Sequence, residues 1–118
     1  MIKSTVVQDM SHNILVVEDY ADLRTALVSA LVRAHYTCDC VGSSEDAVEK
    51  LREHKYGAVL LATRLPIADD PVVRYLHAED STGRTKVIVM SEPDQATDDY
   101  RSLVKPFNYE QLFKTLTS

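Results

Sequence analysis

Two hydrophobic patterns alternate along this chain. Short continuous apolar runs have the character of strands buried on both faces. They are Ile14-Leu15-Val16-Val17, Ala58-Val59-Leu60-Leu61-Ala62 and the KVIVM run Lys86–Met90. Tyr36–Val41 is β-prone and reads as a further strand, second in chain order, and Leu103-Val104 lies in a short fifth. Between these runs the period becomes helical. Leu23, Leu27 and Leu31 recur four residues apart with Ala26, Ala30 and Ala34 beside them, predicting a helix over 21–34. Ser43 with Asp46 makes a capping-box-like start for a helix over 44–54, whose apolar face is Ala47, Val48 and Leu51. A short, weakly patterned helix runs from Pro71 to His77, with Pro71 suited to its first position. Asn108 caps a last helix carrying Tyr109, Leu112, Phe113 and Leu116. His35 stands where a glycine often ends a helix, and a left-handed backbone is expected there.

Strand and helix in alternation predict a parallel sheet covered by helices on both faces. Residues 1–12 read as a flexible tail and 13–118 as one domain. In such sheets the working site lies at the carboxyl ends of the strands, beside the switch in strand order. The positions to weigh are therefore Glu18 and Asp19, Ala62, Ser91 and Lys105.

Composition narrows the function classes. A chain of 118 residues, 45% hydrophobic and 26% charged, suits a single globular domain. Thirteen basic against 18 acidic side chains leave a net charge of −5, which argues against gripping nucleic acid or an anionic membrane surface. No apolar run approaches the roughly 18 residues that span a bilayer. The first 13 residues lack the apolar stretch of a signal peptide, so a cytoplasmic location is expected. Cys38 and Cys40 cannot form a disulfide framework and read as small buried hydrophobes rather than a metal or redox pair. His12, His35, His54 and His77 are scattered without ligand spacing and read as surface residues.

Two adjacent carboxylates at a strand end suit a hard cation such as magnesium. Taken alone, Glu18-Asp19 equally suits the start of a helix, where acids meet the positive dipole end. Ser91 and Lys105 at neighbouring strand ends tip the reading toward phosphoryl chemistry, provided a nucleophile sits among them.

Here the residues resemble a family. ILVVEDYADLRTAL, YGAVLLATRLP, VIVMSE and LVKPF, in this order, are similar to the strand-end motifs of the receiver domain of two-component response regulators. The similarity covers about residues 13–117. It implies a flavodoxin-like three-layer α/β sandwich, with a five-stranded parallel sheet in the order 2-1-3-4-5. It also implies a signalling role exercised through protein–protein contact.

Three departures qualify that implication. In the family the third strand ends in the aspartate that accepts the phosphoryl group; the matching position is Ala62. A methyl group cannot attack phosphorus, and the missing carboxylate is also a magnesium ligand in the family. No cofactor is therefore expected, with metal binding through Glu18 and Asp19 weak or lost and these acids paired with Lys105 instead. Ser91 keeps a hydroxyl with no phosphoryl group to read, and Arg64 is expected to fill part of the vacated pocket. Thr63 points to the other face, and nothing in the sequence positions Asp69 or Asp70 as a substitute. Second, only nine residues, 92–100, separate the fourth strand from Arg101, and they include Pro93 and Asp94, Asp98 and Asp99. The family's fourth helix is thus expected to be missing or reduced to a loop, with the acidic residues forming a solvated loop. Third, the aromatic that the family often carries three residues before the lysine is replaced by Ser102; Tyr100 is out of register by two.

These features combine into a phosphorylation-independent pseudo-receiver, not an enzyme, whose partners are signalling proteins or a second copy. The expected contact surface surrounds Tyr100, Leu103, Tyr109 and Phe113. An output domain after Ser118 is compatible with this reading. Two alternatives stay open: a receiver phosphorylated on a non-standard residue, and an engineered Asp-to-Ala change at 62, which accounts for the first departure but not the others. A small-ligand flavodoxin-like domain is disfavoured, because Glu18-Asp19-Tyr20-Ala21-Asp22 after the first strand repels phosphate.

Overall fold

The computed structural model describes residues 12–64, 66–80, 83–95 and 99–118. The expected tail, apart from His12, lies outside the described residues. The apolar runs form five parallel strands: β1 (Asn13–Val17), β2 (Thr37–Val41), β3 (Ala58–Ala62), β4 (Lys86–Ser91) and β5 (Arg101–Val104). Their order in the sheet is β2-β1-β3-β4-β5. Four helices connect or follow them: α1 (Ala21–Arg33), α2 (Ser44–Glu53), α3 (Pro71–Glu79) and α4 (Tyr109–Thr117).

Strand alternation sends neighbouring residues to opposite faces, and two cores result. Ile14, Val16, Ala58, Leu60, Ile88 and Met90 meet Leu27 and Leu31 of α1 and Leu112 and Leu116 of α4. Leu15, Val17, Val59 and Leu61 meet Ala47 and Leu51 of α2 and Val72 and Val73 of α3. Burial on both faces is what allows the unbroken apolar runs of β1 and β3.

Side-chain caps fix the helix ends. Ser43 Oγ accepts from the Asp46 N–H at 3.1 Å. Asn108 Oδ1 accepts from the Gln111 N–H at 2.8 Å and Gln111 Oε1 from the Asn108 N–H at 2.9 Å, a full capping box. At the end of α1, His35 has φ +70°. The Tyr36 N–H donates to the Leu31 carbonyl and the His35 N–H to that of Val32, the pairing that closes a helix through a left-handed residue.

Four α-helices are present, the last being the one predicted from Asn108 and held by that cap and its apolar face. Between β4 and β5, the segment for which a missing or reduced helix was expected, the described residues carry a single 3-10 turn, Pro93–Gln95. Two expectations need correction. The cysteines are not both buried. β2 is a sheet edge, and there Cys38 is half-buried against the α1 side while Cys40 is exposed. Leu103 is not a surface residue, being only 4% exposed within the α1–α4 core.

Candidate functional site

The carboxyl ends of β1, β3 and β4 open into a cleft of about 290 Å³. Glu18, Asp19, Ala62, Arg64 and Lys105 all line it, so five of the six residues singled out from the strand ends are brought together.

Glu18 follows the last residue of β1 and is only 2% exposed. Both of its carboxylate oxygens accept a hydrogen bond: Oε1 from Lys105 Nζ at 2.9 Å and Oε2 from the Tyr20 N–H at 3.1 Å. Arg24 of α1 donates from Nη1 to the Glu18 carbonyl at 2.7 Å, and the Glu18 N–H donates to Val41 O at 3.1 Å. Backbone and side chain of Glu18 are therefore both clamped. Lys105 arrives from beyond β5, its own N–H donating to Ser91 O at 2.8 Å. A buried carboxylate needs such a partner, because an uncompensated charge there costs several kcal/mol.

Asp19 is exposed on the rim. Its carboxyl is held below the usual carboxylate range, first by its hydrogen bond with the Glu18 side chain. Its own backbone N–H and the charges of Arg64 and Lys105 pull in the same direction, and partial burial opposes them.

Ala62 ends β3 opposite Met90 and contributes a methyl group to the cleft wall. Ser91 stands apart. It is 2% exposed, and its Oγ is the buried side-chain oxygen without a hydrogen-bond partner among the described residues. Met90 and Glu92 on either side of it line the cleft, whereas Ser91 does not.

Asp70 was undervalued by sequence reasoning. It also lines the cleft, is 2% exposed, and is firmly positioned. Oδ1 accepts from the Val72 N–H and Oδ2 from Ser44 Oγ, each at 2.8 Å, so it caps α3 and ties that helix to α2. The Asp-Pro pair before the helix was the available signal. Asp69, one residue earlier, is exposed in the 3-10 turn Ile67–Asp69.

The donor set is thin for magnesium, which asks for a near-octahedral shell of oxygens. Among the described residues no group of three or more His, Cys, Asp or Glu side chains is arranged to hold a metal ion. Ala62 supplies no oxygen, and both Glu18 oxygens already have protein donors.

The expected contact surface is not one patch. Tyr100 packs toward the α2–α3 core, Leu103 is buried on the other face, Phe113 stacks on Tyr36 at 6.1 Å, and Tyr109 is 54% exposed.

The family model for the response regulator receiver domain matches residues 14–117. The chain belongs to that family. Its fold is shared with the chemotaxis protein CheY4 of Vibrio cholerae, at 22% identity over 89% of this chain and 95% of that one, with a TM-score of 0.73. A receiver domain of a sensor histidine kinase from Pseudomonas aeruginosa, which has a magnesium ion coordinated in its active-site cleft, is 25% identical, with 89% and 93% coverage and a TM-score of 0.75. The response regulator TrrA of Thermotoga maritima, solved with magnesium and a beryllium fluoride, is 22% identical, with 89% and 96% coverage and a TM-score of 0.72. No curated protein matches the chain. This is a receiver domain of two-component signalling, and receiver domains work through protein partners. Among the described residues no helix is long and apolar enough to cross a membrane.

Proposed function

We propose that this receiver signals without aspartyl phosphorylation, through contact with signalling proteins or with a second copy of itself. The observation that carries the reading is Ala62 at the end of β3, lining the cleft where the family's acceptor carboxylate belongs. Two features support it. Glu18 and Lys105 pair at 2.9 Å, so a metal or a phosphoryl group has to compete with that bond. Asp70, the other buried carboxylate of the cleft, commits both oxygens to holding α3 and α2 and is no substitute nucleophile. Magnesium binding is weak or absent in this reading, the activity is non-enzymatic, and the place of action is the cytoplasm.

The test is intact mass after exposure to a small phosphodonor with magnesium. The native chain gains no phosphoryl mass, and Ala62→Asp gains one. A phosphoryl adduct on the native chain, stable to controls at Ser and Thr, overturns the proposal and moves the acceptor to another residue. Capture of the same signalling partners by both versions supports constitutive contact; capture by Ala62→Asp alone counts against it.

A further inference from the structure

The outer edge of β2 carries chemistry that the pocket does not use. We infer that two copies of this chain pair antiparallel through their β2 edges and are joined there by reciprocal Cys38–Cys40 disulfides under oxidising conditions. The inference is independent of the reading of Ala62.

Backbone direction comes first. The Glu18 N–H donates to Val41 O, so Val41 turns its backbone groups toward β1. In a strand these groups alternate sides. Thr37 and Asp39 therefore share the inward orientation, and Cys38 and Cys40 present N–H and C=O to the outer edge, which no strand covers among the described residues. Such an edge is a template for a further strand, and this one carries no proline or lysine to block it.

The register then follows from the sequence Thr37-Cys38-Asp39-Cys40-Val41, which is symmetric in its cysteines about Asp39. A two-fold axis beside Asp39 sets Cys38 of one copy directly opposite Cys40 of the other, twice, as hydrogen-bonded pairs. Opposed residues of that kind have Cα atoms about 5.5 Å apart, within the roughly 4.4–6.8 Å that a disulfide spans. The alternative bridge within one chain is excluded. Residues i and i+2 of a strand are about 6.6 Å apart and project in parallel, while a disulfide needs Cβ atoms within about 4.5 Å.

The thiols differ in a useful way. Cys40 is exposed, and Cys38 is half-buried with its thiol pushed up by burial, then by the neighbouring Cys40 and Asp39. Cys40 is the attacking group. With a hydroperoxide as oxidant, its thiolate attacks the distal oxygen, an S–O bond forms as the O–O bond breaks, and a sulfenic acid results with an alcohol or water as the leaving group. The Cys38 thiol of the other copy then attacks that sulfur, the S–S bond forms and water leaves. Asp39 stands against Asp39 on the opposite face, each carboxylate accepting from its own Tyr56 hydroxyl at 2.5 Å. Like charges placed opposite each other weaken pairing, so without the covalent links the edges stay apart.

The experiment exposes the full chain to hydrogen peroxide, follows it by non-reducing electrophoresis and maps cross-linked peptides. The expected product is a dimer, reversed by dithiothreitol, containing a Cys38–Cys40 inter-chain link. Cys40→Ser and Cys38→Ser each lose the dimer. A Cys38→Ser chain that still dimerises fully through Cys40 to Cys40 overturns the register. Oxidation of Cys40 to higher acids without any dimer in the native chain overturns the proposal outright.

Discussion

Ser91 and Tyr56 are two buried side chains whose hydroxyls meet opposite circumstances. The Ser91 Oγ is buried without a hydrogen-bond partner among the described residues, and an unsatisfied hydroxyl of that kind costs about 1–3 kcal/mol. Ser91→Ala is accordingly expected to leave the chain as stable or to raise its stability by about 1 kcal/mol, read from urea unfolding. A loss of more than that amount shows the hydroxyl to be bonded in solution. Tyr56 is 2% exposed and donates to Asp39. Burial, then the Asp39 hydrogen bond and charge, then Glu53 hold its hydroxyl protonated well above the usual tyrosine range. A folded value raised above the unfolded one contributes stability fully present below about pH 10, which is lost as pH rises through the folded value. In an alkaline titration, one of the six tyrosines therefore ionises only as the chain unfolds. Tyr56→Phe removes that delayed step; an unchanged absorbance curve refutes the assignment. The Tyr56–Asp39 bond was not visible beforehand, because Tyr56, ahead of β3, reaches Asp39 of β2 only once the two strands flank β1.

At the scale of elements, local signals were legible and neighbour relations were not. Asn108 with Gln111, Ser43 with Asp46 and His35 at the end of α1 are spelled out within a few residues, and the structure realises each. Asn108→Ala is expected to cost about 1 kcal/mol by removing the α4 cap, with Asn108→Ser keeping most of it; equal melting of all three chains contradicts that role. The apolar runs likewise placed the strands, since burial on both faces leaves little alternative. Asp70 was passed over because its second bond, from Ser44, exists only when α2 and α3 are adjacent. Cys40 was misjudged for a related reason. A strand's composition does not say whether it sits inside a sheet or at its edge, although the expected order 2-1-3-4-5 contained that information. Leu103 was misplaced because a four-residue strand offers too short a pattern to tell the core side from the solvent side.

For the whole molecule, the lost carboxylate at 62 should appear as indifference to divalent cations. A ligand stabilises a fold only in so far as it binds the folded state, by RT ln(1 + [L]/Kd). Millimolar magnesium is expected to leave the melting temperature of the native chain unmoved and to raise that of Ala62→Asp, in which a further carboxylate joins Glu18 and Asp19. An equal rise in both chains means that the acid pair alone binds the ion. The strand-end site was readable from sequence because fold topology gathers those positions whatever their side chains. The internal closure of Glu18 by Lys105, from residues 87 apart in the chain, was anticipated as a pairing but acquires its geometry only from the parallel strands β1 and β5 ending on the same side of the sheet.

The bond between Glu18 and Lys105 has a bearing on how such a domain responds to its surroundings. A counter-ion supplied by the same chain is present at a fixed effective concentration, set by geometry and unaffected by dilution. Any solute cation competes against a tethered rival that never diffuses away. On the reading proposed above, the occupancy of this cleft is inherited with the polypeptide, and fluctuations in the ionic make-up of the medium have little purchase on it.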